Sequence, residues 1–362
     1  MSKFHRLTIA AVNQETADAV SVSFHVPDSL KEVFRFKPGQ YTTLKLNING
    51  EQVNRSYSFC SSPYLNELPA IAVKRVQGGK GSNFINDTFK AGVEVDVMEP
   101  MGNFHSELAV TNAKHYLLFA GGSGITPIIS IAKSVLLAEP SSRVTLFYGN
   151  RNTASIIFKS QLDALQAGNG GRLNVVYVLD APEAGWNGHT GFIVKEKALE
   201  LLRENTDLHF QQAEFFICGP TPMMKESESA LQALAIPKER IHIEYFTAKA
   251  EEDRHAATSG SVSDSVEVFT GKTKVKIIYD GNTREFEVSE KETILEAALD
   301  AGYDPPYSCM VAACCTCRAK LLSGKVEMDD RESLTDAEIA KGYVLTCQAH
   351  PKSNGIVLNY DI

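Results

Sequence analysis

Four cysteines crowd into nine residues, "CMVAACCTC" from Cys309 to Cys317, in a chain of 362 residues that otherwise has only Cys60, Cys218 and Cys347. From Cys309 the spacing runs four residues to Cys314, two to Cys317 and twenty-nine to Cys347 in "GYVLTCQAHP". That order, C-x4-C-x2-C…C, is the one by which four thiolates hold a 2Fe-2S cluster. A short loop folds around such a cluster and offers several sulfurs, and a distant strand end supplies the last. Two other chemistries fit less well. Zinc sites usually take two C-x2-C pairs, and the second half here is a lone cysteine. A redox C-x-x-C drawn from Cys314 and Cys317 lacks its βαβ context. Cys315 falls outside the ligand set and reads as a small residue packed beside it, and Cys60 as a buried small hydrophobe.

The whole-chain totals narrow the setting. A net charge of −8 argues against nucleic acid or an anionic membrane as the main partner. The apolar and charged contents, 43% and 22%, are those of an ordinary globular protein. "MSKFHRLTIAAVNQ" lacks the apolar stretch of a signal peptide, and no apolar run approaches a bilayer span. The reading is a cytoplasmic chain, where thiols stay reduced and clustered cysteines bind metals more often than they pair. The length predicts two or three domains.

The elements that must position the cysteines follow from pattern. "KTKVKIIYDGNTREFEV" alternates as two strands around Asp280-Gly281, a hairpin signal. "SEKETILEAALDAG" predicts a helix opened by Ser289 and Glu292 as a capping box, with Ile294, Leu295, Ala298 and Leu299 on one face, ending at Gly302. The small and charged residues of 247–271 predict a linker. The first hundred residues read as β structure. Val20, Val22, Phe24 and Val26 alternate with Ser21, Ser23 and His25, and further strands, "QYTTLKLNI", "AIAVKRV" and "EVDVMEP", are separated by Gly- and Pro-bearing turns. A small antiparallel barrel is expected. From Lys114 the rhythm becomes βαβ: "HYLLFAGG", "RVTLFYGN", "LNVVYVL" and "EFFICGP" alternate with helices such as "TPIISIAKSVLLAE", which predicts a covered parallel sheet.

Two further stretches carry binding chemistry. "HYLLFAGGSGITPI" is a buried strand, a glycine turn and a helix start, an arrangement that admits a pyrophosphate to bare amides. Lacking the G-x-G-x-x-G fingerprint, it is by itself a weak sign of a nucleotide. "RSYSFCSSP", with "VKRVQGGKGSNF" after it, offers a cation, a ring and hydroxyls to a phosphate and a flat ring system. Taken alone, those nine residues read better as an ordinary edge strand with a solvated Arg55.

Their order decides more than any one of them. Over nearly all of the first 246 residues the chain resembles the ferredoxin–NADP reductase family. "RSYS" matches its flavin motif, "GKGS" its phosphate loop, "GGSGITP" its pyridine-nucleotide turn, "CGP" at Cys218–Pro220 its nicotinamide-side loop, and "EYF" its closing Glu-x-aromatic. From about Lys272 onward the chain resembles the plant-type ferredoxin domain. The combination is most similar to the reductase components that serve phenylacetyl-CoA ring epoxidases. The resemblance implies an FAD-binding β-barrel over 1–108, an NAD(P)-binding α/β domain over 109–246, and, beyond the 247–271 linker, a β-grasp-like α+β ferredoxin domain over 272–362. One departure bears on the cluster. Relatives usually carry glycine between the first two ligands, where Val311, Ala312 and Ala313 stand here, and alanine in a left-handed conformation costs energy.

The residue roles are likewise those the resemblance implies. Arg55, Ser56, Tyr57 and Ser58 would hold FAD, with Lys80, Gly81 and Ser82 at its phosphates. Gly121, Gly122, Ser123, Gly124 and Thr126 would face the nicotinamide dinucleotide, with Cys218, Gly219 and Pro220 on the nicotinamide side. Ser58, Cys218 and Glu244 would flank the reacting rings, and Phe246 would cover the flavin. The reaction would take an electron pair from the nicotinamide into FAD and release electrons singly to the cluster, the cofactors carrying the chemistry. The acceptor would be an oxygenase, or another redox protein such as a hybrid-cluster protein. A sensor with a decayed flavin site is a third reading, opposed by the intact Arg55, Tyr57, Ser58 and Glu244. Arg151 in "FYGNR" favours NADPH through its 2′-phosphate, whereas Asp180 would repel that phosphate. The balance falls to NADPH, with NADH the alternative. Finally, "EMDDRESLTDAE" places Glu327, Asp329, Asp330, Glu332, Asp336 and Glu338 around Arg331, either a docking face for a basic partner or a solvated surface.

Overall fold

A computed structural model describes residues 4–206, 210, 212–246, 271–331 and 333–361. They fall into two compact units, one from Phe4 to Glu244 and one beginning at Tyr245. The expected linker, Gly271 apart, lies outside the described residues.

The first unit begins with six strands: β1 (Phe4–Thr16), β2 (Ala19–His25), β3 (Tyr41–Ile48), β4 (Glu51–Ser58), β5 (Ala70–Lys74) and β6 (Glu94–Met98). They pair antiparallel in the order β4-β3-β6-β1-β2-β5. A bridge between Phe59 and Ile71 joins the two ends, which makes the sheet a barrel. The alternation seen in β2 puts Val20, Val22 and Phe24 into the barrel core with Leu7, Ile9, Leu44 and Val97. Its other face is less polar than the pattern suggests. Ser21 is buried, and Ala19 and Ala72 join the core of the neighbouring α/β layer. Helix α1 (Lys80–Thr88) covers one end of the barrel, with Ile85 reaching the core.

The same unit continues into a wholly parallel sheet. Its strands are β7 (His115–Gly121), β8 (Arg143–Asn150), β9 (Leu173–Leu179), β10 (His189–Thr190), β11 (Ala213–Cys218) and β12 (Ile241–Glu244). The order is β10-β9-β8-β7-β11-β12. Helices α2 (Ile125–Ala138), α3 (Lys159–Gly168), α4 (Lys195–Asn205) and α5 (Thr221–Ala233) alternate with the strands. Every residue of β7 is buried, as its unbroken apolar run requires of a strand covered on both faces.

The second unit is a five-stranded mixed sheet built from β13 (Lys272–Tyr279), β14 (Asn282–Ser289), β15 (Arg318–Ser323), β17 (Tyr343–Leu345) and β19 (Ile356–Asn359), in the order β14-β13-β19-β15-β17. A small ribbon of β16 (Val326–Met328) and β18 (Ala349–Pro351) lies outside that sheet. The Asp280-Gly281 hairpin forms as read, with both residues at positive φ and both amides donating to the Asp361 carboxylate at 2.9 Å. One expectation is corrected. Helix α6 (Ile294–Asp300) is capped by Thr293, in a capping box with Glu296, and not by Ser289 with Glu292. Ser289 is still the last residue of β14, paired with Lys272, so the chain is extended where a cap at that position would need it to turn. Helix α7 (Asp336–Ala340) is capped in the same way as α6, by Thr335 and Glu338.

Candidate functional site

The strand order of the parallel sheet reverses between β7 and β11, and open α/β sheets bind ligands at such a switch point, outside the carboxyl ends of the strands. Both glycine motifs sit there. A Cβ on Gly124 would stand 2.1 Å from the carbonyl oxygen of Cys218, and one on Gly219 would stand 2.9 Å from the amide of Gly121. The two turns therefore touch backbone to backbone, which only glycine permits. Gly122 takes a φ of +52°, and its carbonyl accepts a hydrogen bond from the Tyr148 hydroxyl at 2.9 Å. The Thr126 hydroxyl donates to the Ser123 carbonyl at 3.1 Å. Helices α2 and α5 both begin here, after Gly124 and Pro220, without a side-chain cap; the first amide of α2, on Ile125, is taken by the Gly122 and Ser123 carbonyls of the preceding turn, and Pro222 leaves the second position of α5 without one.

Ser58, Cys218 and Glu244, far apart in sequence, meet at one corner of this crevice. The Ser58 hydroxyl donates to Glu244 Oε2 at 3.1 Å, and Glu244 on β12 is the register partner of Cys218 on β11. Cys218 is fully buried, and burial, with the Glu244 carboxylate beside it, pushes its thiol well up. It stays a neutral, compact group.

Arg55 and Tyr57 lie on one face of β4, and the start of α1 rests against them. A Cβ on Gly81 would come within 2.9 Å of Arg55 Cγ and 3.6 Å of the Tyr57 hydroxyl. Helix α1 likewise starts without a side-chain cap. The other predicted phosphate groups are partly engaged. Lys80 Nζ pairs with Glu51 at 2.8 Å, the Ser82 hydroxyl accepts the Val76 amide at 3.1 Å, and Ser56 bonds Thr43 across the sheet at 3.0 Å. Bare amides, a guanidinium and a ring at one helix start suit a dinucleotide phosphate. Phe246 falls in the second unit with an exposed ring.

Arg151 and Asp180 occupy the ends of β8 and β9, both exposed, and backbone bonds tie those ends together: Asp180 to Asn150 at 3.1 Å and Ala181 to Arg151 at 2.8 Å. Among the described residues Arg151 makes no ion pair, while nearby Glu183 is taken up by the Thr153 amide and hydroxyl.

In the second unit the cysteine spacing finds its structural cause. Strands β15 and β17 pair with Arg318 opposite Leu345, so Cys317, just before the one, and Cys347, just after the other, come together. Thr346 fixes this junction, its amide and hydroxyl donating to the Cys317 carbonyl at 3.3 and 3.0 Å, and the buried Tyr360 hydroxyl donates to Thr346 at 2.8 Å. The loop from Cys309 bends through Met310 and Ala312, at φ +58° and +56°. Alternating hands of this kind aim successive amides into one hollow. The Val311 amide donates to Cys309 Sγ at 3.4 Å, and the Ala312 amide to the Cys347 sulfur. The Gln348 side-chain amide donates to the carbonyls of Met310 and Cys347, at 3.3 and 2.8 Å, and reaches Cys347 Sγ at 3.7 Å. It thereby ties the short loop to the distant ligand. Hydrogen bonding with Cys309 and Thr316 lowers the Cys314 thiol, and Cys317 lowers Cys347 in the same way, while the two donor thiols, Cys309 and Cys317, are pushed up. Four sulfurs, three of them met by polar hydrogens, walled by Leu295, Leu334 and Leu345, fit an iron–sulfur cluster. Cys315 turns aside, bonded to the Ser333 carbonyl at 2.8 Å.

Known proteins agree with this division of labour. Residues 6–106 match the oxidoreductase FAD-binding domain, 118–229 the oxidoreductase NAD-binding domain and 277–352 the 2Fe-2S iron-sulfur cluster binding domain. The chain is 39% identical to one of the subunits of 1,2-phenylacetyl-CoA epoxidase from Escherichia coli (strain K12), over 100% of this chain and 99% of that one. The chain belongs to the family of flavin- and nicotinamide-binding reductases with a 2Fe-2S domain. It is also 34% identical to the ferredoxin reductase component of 3-ketosteroid-9-alpha-monooxygenase from Rhodococcus rhodochrous, over 98% and 96% of the two chains. The structure of phthalate dioxygenase reductase, described as modular for electron transfer from pyridine nucleotides to [2Fe-2S], superposes with a TM-score of 0.58 at 25% identity, over 98% of each chain. The reductase is thus an oxidoreductase that uses FAD, a nicotinamide dinucleotide and a 2Fe-2S cluster for electron transfer, in three folds of the kinds expected.

Sequence reasoning missed several residues of the reductase. Gln348 and Thr346 stand on either side of the last ligand in "LTCQAH", and their polarity beside a buried cysteine was the available signal. Met223, whose sulfur would lie 2.8 Å from a Cβ on Gly121, gave none. The acidic run proves largely paired: Glu327 with Lys352 at 2.7 Å, Asp329 with His350 at 3.0 Å, and Glu338 with Arg318. Glu332 lies outside the described residues. No described helix is long and apolar enough to cross a membrane.

Proposed function

We propose that this reductase passes electrons from NADPH through FAD and the 2Fe-2S cluster to an oxygenase, and that the oxygenase is a phenylacetyl-CoA epoxidase. The observation that carries the first half is the corner where Ser58 meets Glu244 at 3.1 Å beside Cys218 in register. Two strands of different sheets there present polar groups at the switch-point crevice, which supports a meeting of the two ring systems at this corner. The full-length relative in Escherichia coli supports the acceptor.

FAD, when bound, converts a two-electron donor into a one-electron source. The protein's own groups then have defined tasks. Arg55, Ser56, Tyr57, Ser58, Lys80, Gly81 and Ser82 hold the flavin. Gly121, Gly122, Ser123, Gly124, Thr126, Gly219 and Pro220 seat the dinucleotide. Ser58, Cys218 and Glu244 orient the nicotinamide, and Cys309, Cys314, Cys317 and Cys347 ligate the cluster. The division into 1–108, 109–246, 247–271 and 272–362 goes with this assignment. Arg151, which makes no ion pair among the described residues, supports NADPH over NADH, and four reduced thiols suit the cytoplasm.

Cys347→Ser tests the assignment. The purified variant is expected to keep its flavin spectrum and NADPH-driven dye reduction, and to lose the reduced-cluster EPR signal and delivery to phenylacetyl-CoA epoxidase. A variant that still served the oxygenase would refute the route through the cluster. A wild-type protein that reduced its dye but served only another redox protein would move the acceptor to a different oxygenase or to a hybrid-cluster protein.

A further inference from the structure

Helix α2 is buried from Ile125 to Leu136, with Leu137 exposed near its end, and most of its residues are apolar. Three that are not, Ser130, Lys133 and Ser134, fall on one face by their i, i+3, i+4 spacing. All three are spent on the segment that follows β4. The Ser130 hydroxyl donates to the Ser61 carbonyl at 2.6 Å, and the Ser134 hydroxyl meets that of Ser62 at 2.7 Å. Lys133 Nζ donates to the Cys60 carbonyl at 3.2 Å and to both Glu67 oxygens at 3.3 Å. The lysine is 5% exposed. The segment it grips is itself locked. Glu67 accepts the Ser62 amide at 2.5 Å, the Cys60 amide donates to the Ala70 carbonyl at 2.8 Å, and the Ala70 amide donates to the Ser61 hydroxyl at 2.9 Å.

A buried ammonium is costly, and an aliphatic side chain of the same length fills such a space at less cost. What the lysine adds is direction: three acceptors fix where the Cys60 backbone lies along the helix. Cys60 is two residues past Ser58. The start of the same helix is fixed at Gly124 against the Cys218 carbonyl, Cys218 is fixed to Glu244 by strand register, and Glu244 receives the Ser58 hydroxyl. These links close a ring from Ser58 through Cys60, Lys133, α2, Gly124, Cys218 and Glu244 back to Ser58. Two of its joints are hydrogen bonds, and the others are backbone contact and covalent chain.

We propose that the polar face of α2 is a spacer that sets the separation of the flavin strand from the nucleotide turn, which makes Lys133 and Glu67 positioning residues for electron transfer from nicotinamide to flavin. Neither residue lies among those assigned to FAD, the dinucleotide or the cluster, so loss of the spacer leaves cofactor content intact and affects the approach of the two rings. The inference rests on the assignment of β4 to the flavin and of the glycine turn to the dinucleotide.

The test uses full-length holoenzyme carrying Lys133→Met. FAD and iron contents are expected to match wild type. Anaerobic single-turnover flavin reduction by NADPH, and by NADH, is expected to slow tenfold or more. The spectral change on titrating oxidised enzyme with NADP+ is expected to shrink, and reoxidation of chemically reduced enzyme by ferricyanide to stay unchanged. Glu67→Gln, which keeps a hydrogen-bonding partner, is expected to slow reduction two- to threefold. Wild-type reduction rates in Lys133→Met would overturn the spacer. A parallel loss of FAD, reduction and reoxidation is the signature of general destabilisation, and Glu67→Gln then decides: wild-type reduction rates in that well-folded variant would overturn the spacer, and a graded slowing would uphold it. Ser58→Ala, run alongside, separates the two readings. If it leaves flavin reduction unchanged, the assignment of the corner fails and the spacer with it; if Ser58→Ala slows reduction and Lys133→Met does not, the spacer alone fails.

Discussion

The nucleotide turn and the cluster loop bend the chain through the same left-handed region with opposite residue choices. Gly122 sits at φ +52° and Ala312 at φ +56°. At the nucleotide turn the glycines answer a shortage of space: Gly124 and Gly219 lie where a Cβ would enter neighbouring backbone. In the cluster loop, what is needed is direction. The left-handed hand at Ala312 aims its amide at the Cys347 sulfur, and its methyl is buried against the cysteine cluster. A methyl costs roughly 1–2 kcal/mol in left-handed backbone, and burying one returns roughly 0.8 kcal/mol. Alanine is therefore tolerable in the cluster loop, whereas at Gly124 it is not. The difference separates a glycine needed for φ from a glycine needed for room.

Four substitutions press on this contrast. Gly124→Ala is expected to have the largest effect, since its methyl would stand 2.1 Å from the Cys218 oxygen. A loss of about 3 kcal/mol or more in urea unfolding is expected, and a loss below about 1 kcal/mol would mean that the two turns can part. Gln348→Leu leaves the Met310 and Cys347 carbonyls without their donor, at a cost of about 1–2 kcal/mol. Its cluster is expected to bleach several-fold faster in the presence of an iron chelator, and bleaching at the wild-type rate would show that the amide ties nothing. Gly122→Ala adds strain in open space, since nothing lies within 4 Å of the added methyl. A stability loss of about 1 kcal/mol is expected, with FAD content unchanged. Ala312→Gly is the smallest. Relief of strain and loss of a buried methyl nearly cancel, for a net gain of about 0.5 kcal/mol, read as slightly slower bleaching. Marked destabilisation there would show that the methyl, and not the amide, is what the loop depends on.

Much of this was legible in the sequence where the signal is local. The ligand spacing survives because one strand register joins Cys317 to Cys347. Asp280-Gly281 forms its hairpin because two adjacent residues suffice to make the turn. The glycine turns were visible, but their reason was not, since the contact of Gly124 with Cys218 joins segments that sequence proximity does not link. The cap of α6 was misplaced because Ser289 and Thr293 both satisfy the capping pattern, and only the pairing of Ser289 with Lys272 decides between them. Lys133 was invisible for another reason. A single lysine in an apolar helix suggests one solvated edge, and the turn of α2 that carries Lys133 has none. The acidic run read equally well as a docking face or a surface, and its pairing with Lys352, His350 and Arg318 depends on strands distant in sequence.

The place of β19 has a consequence for how the molecule is made. That strand, Ile356–Asn359, is the middle of its sheet, parallel to β13 and antiparallel to β15. On a ribosome, the flavin and nucleotide layers can close while all four ligands are still to come. The iron-binding unit cannot close until after the last of its thiols has been synthesised. Between those moments the cysteines are carried on an open chain, accessible to oxidants and to the wrong ions. Closure of the iron-binding unit therefore waits on the synthesis of β19, which follows the last of the four thiols.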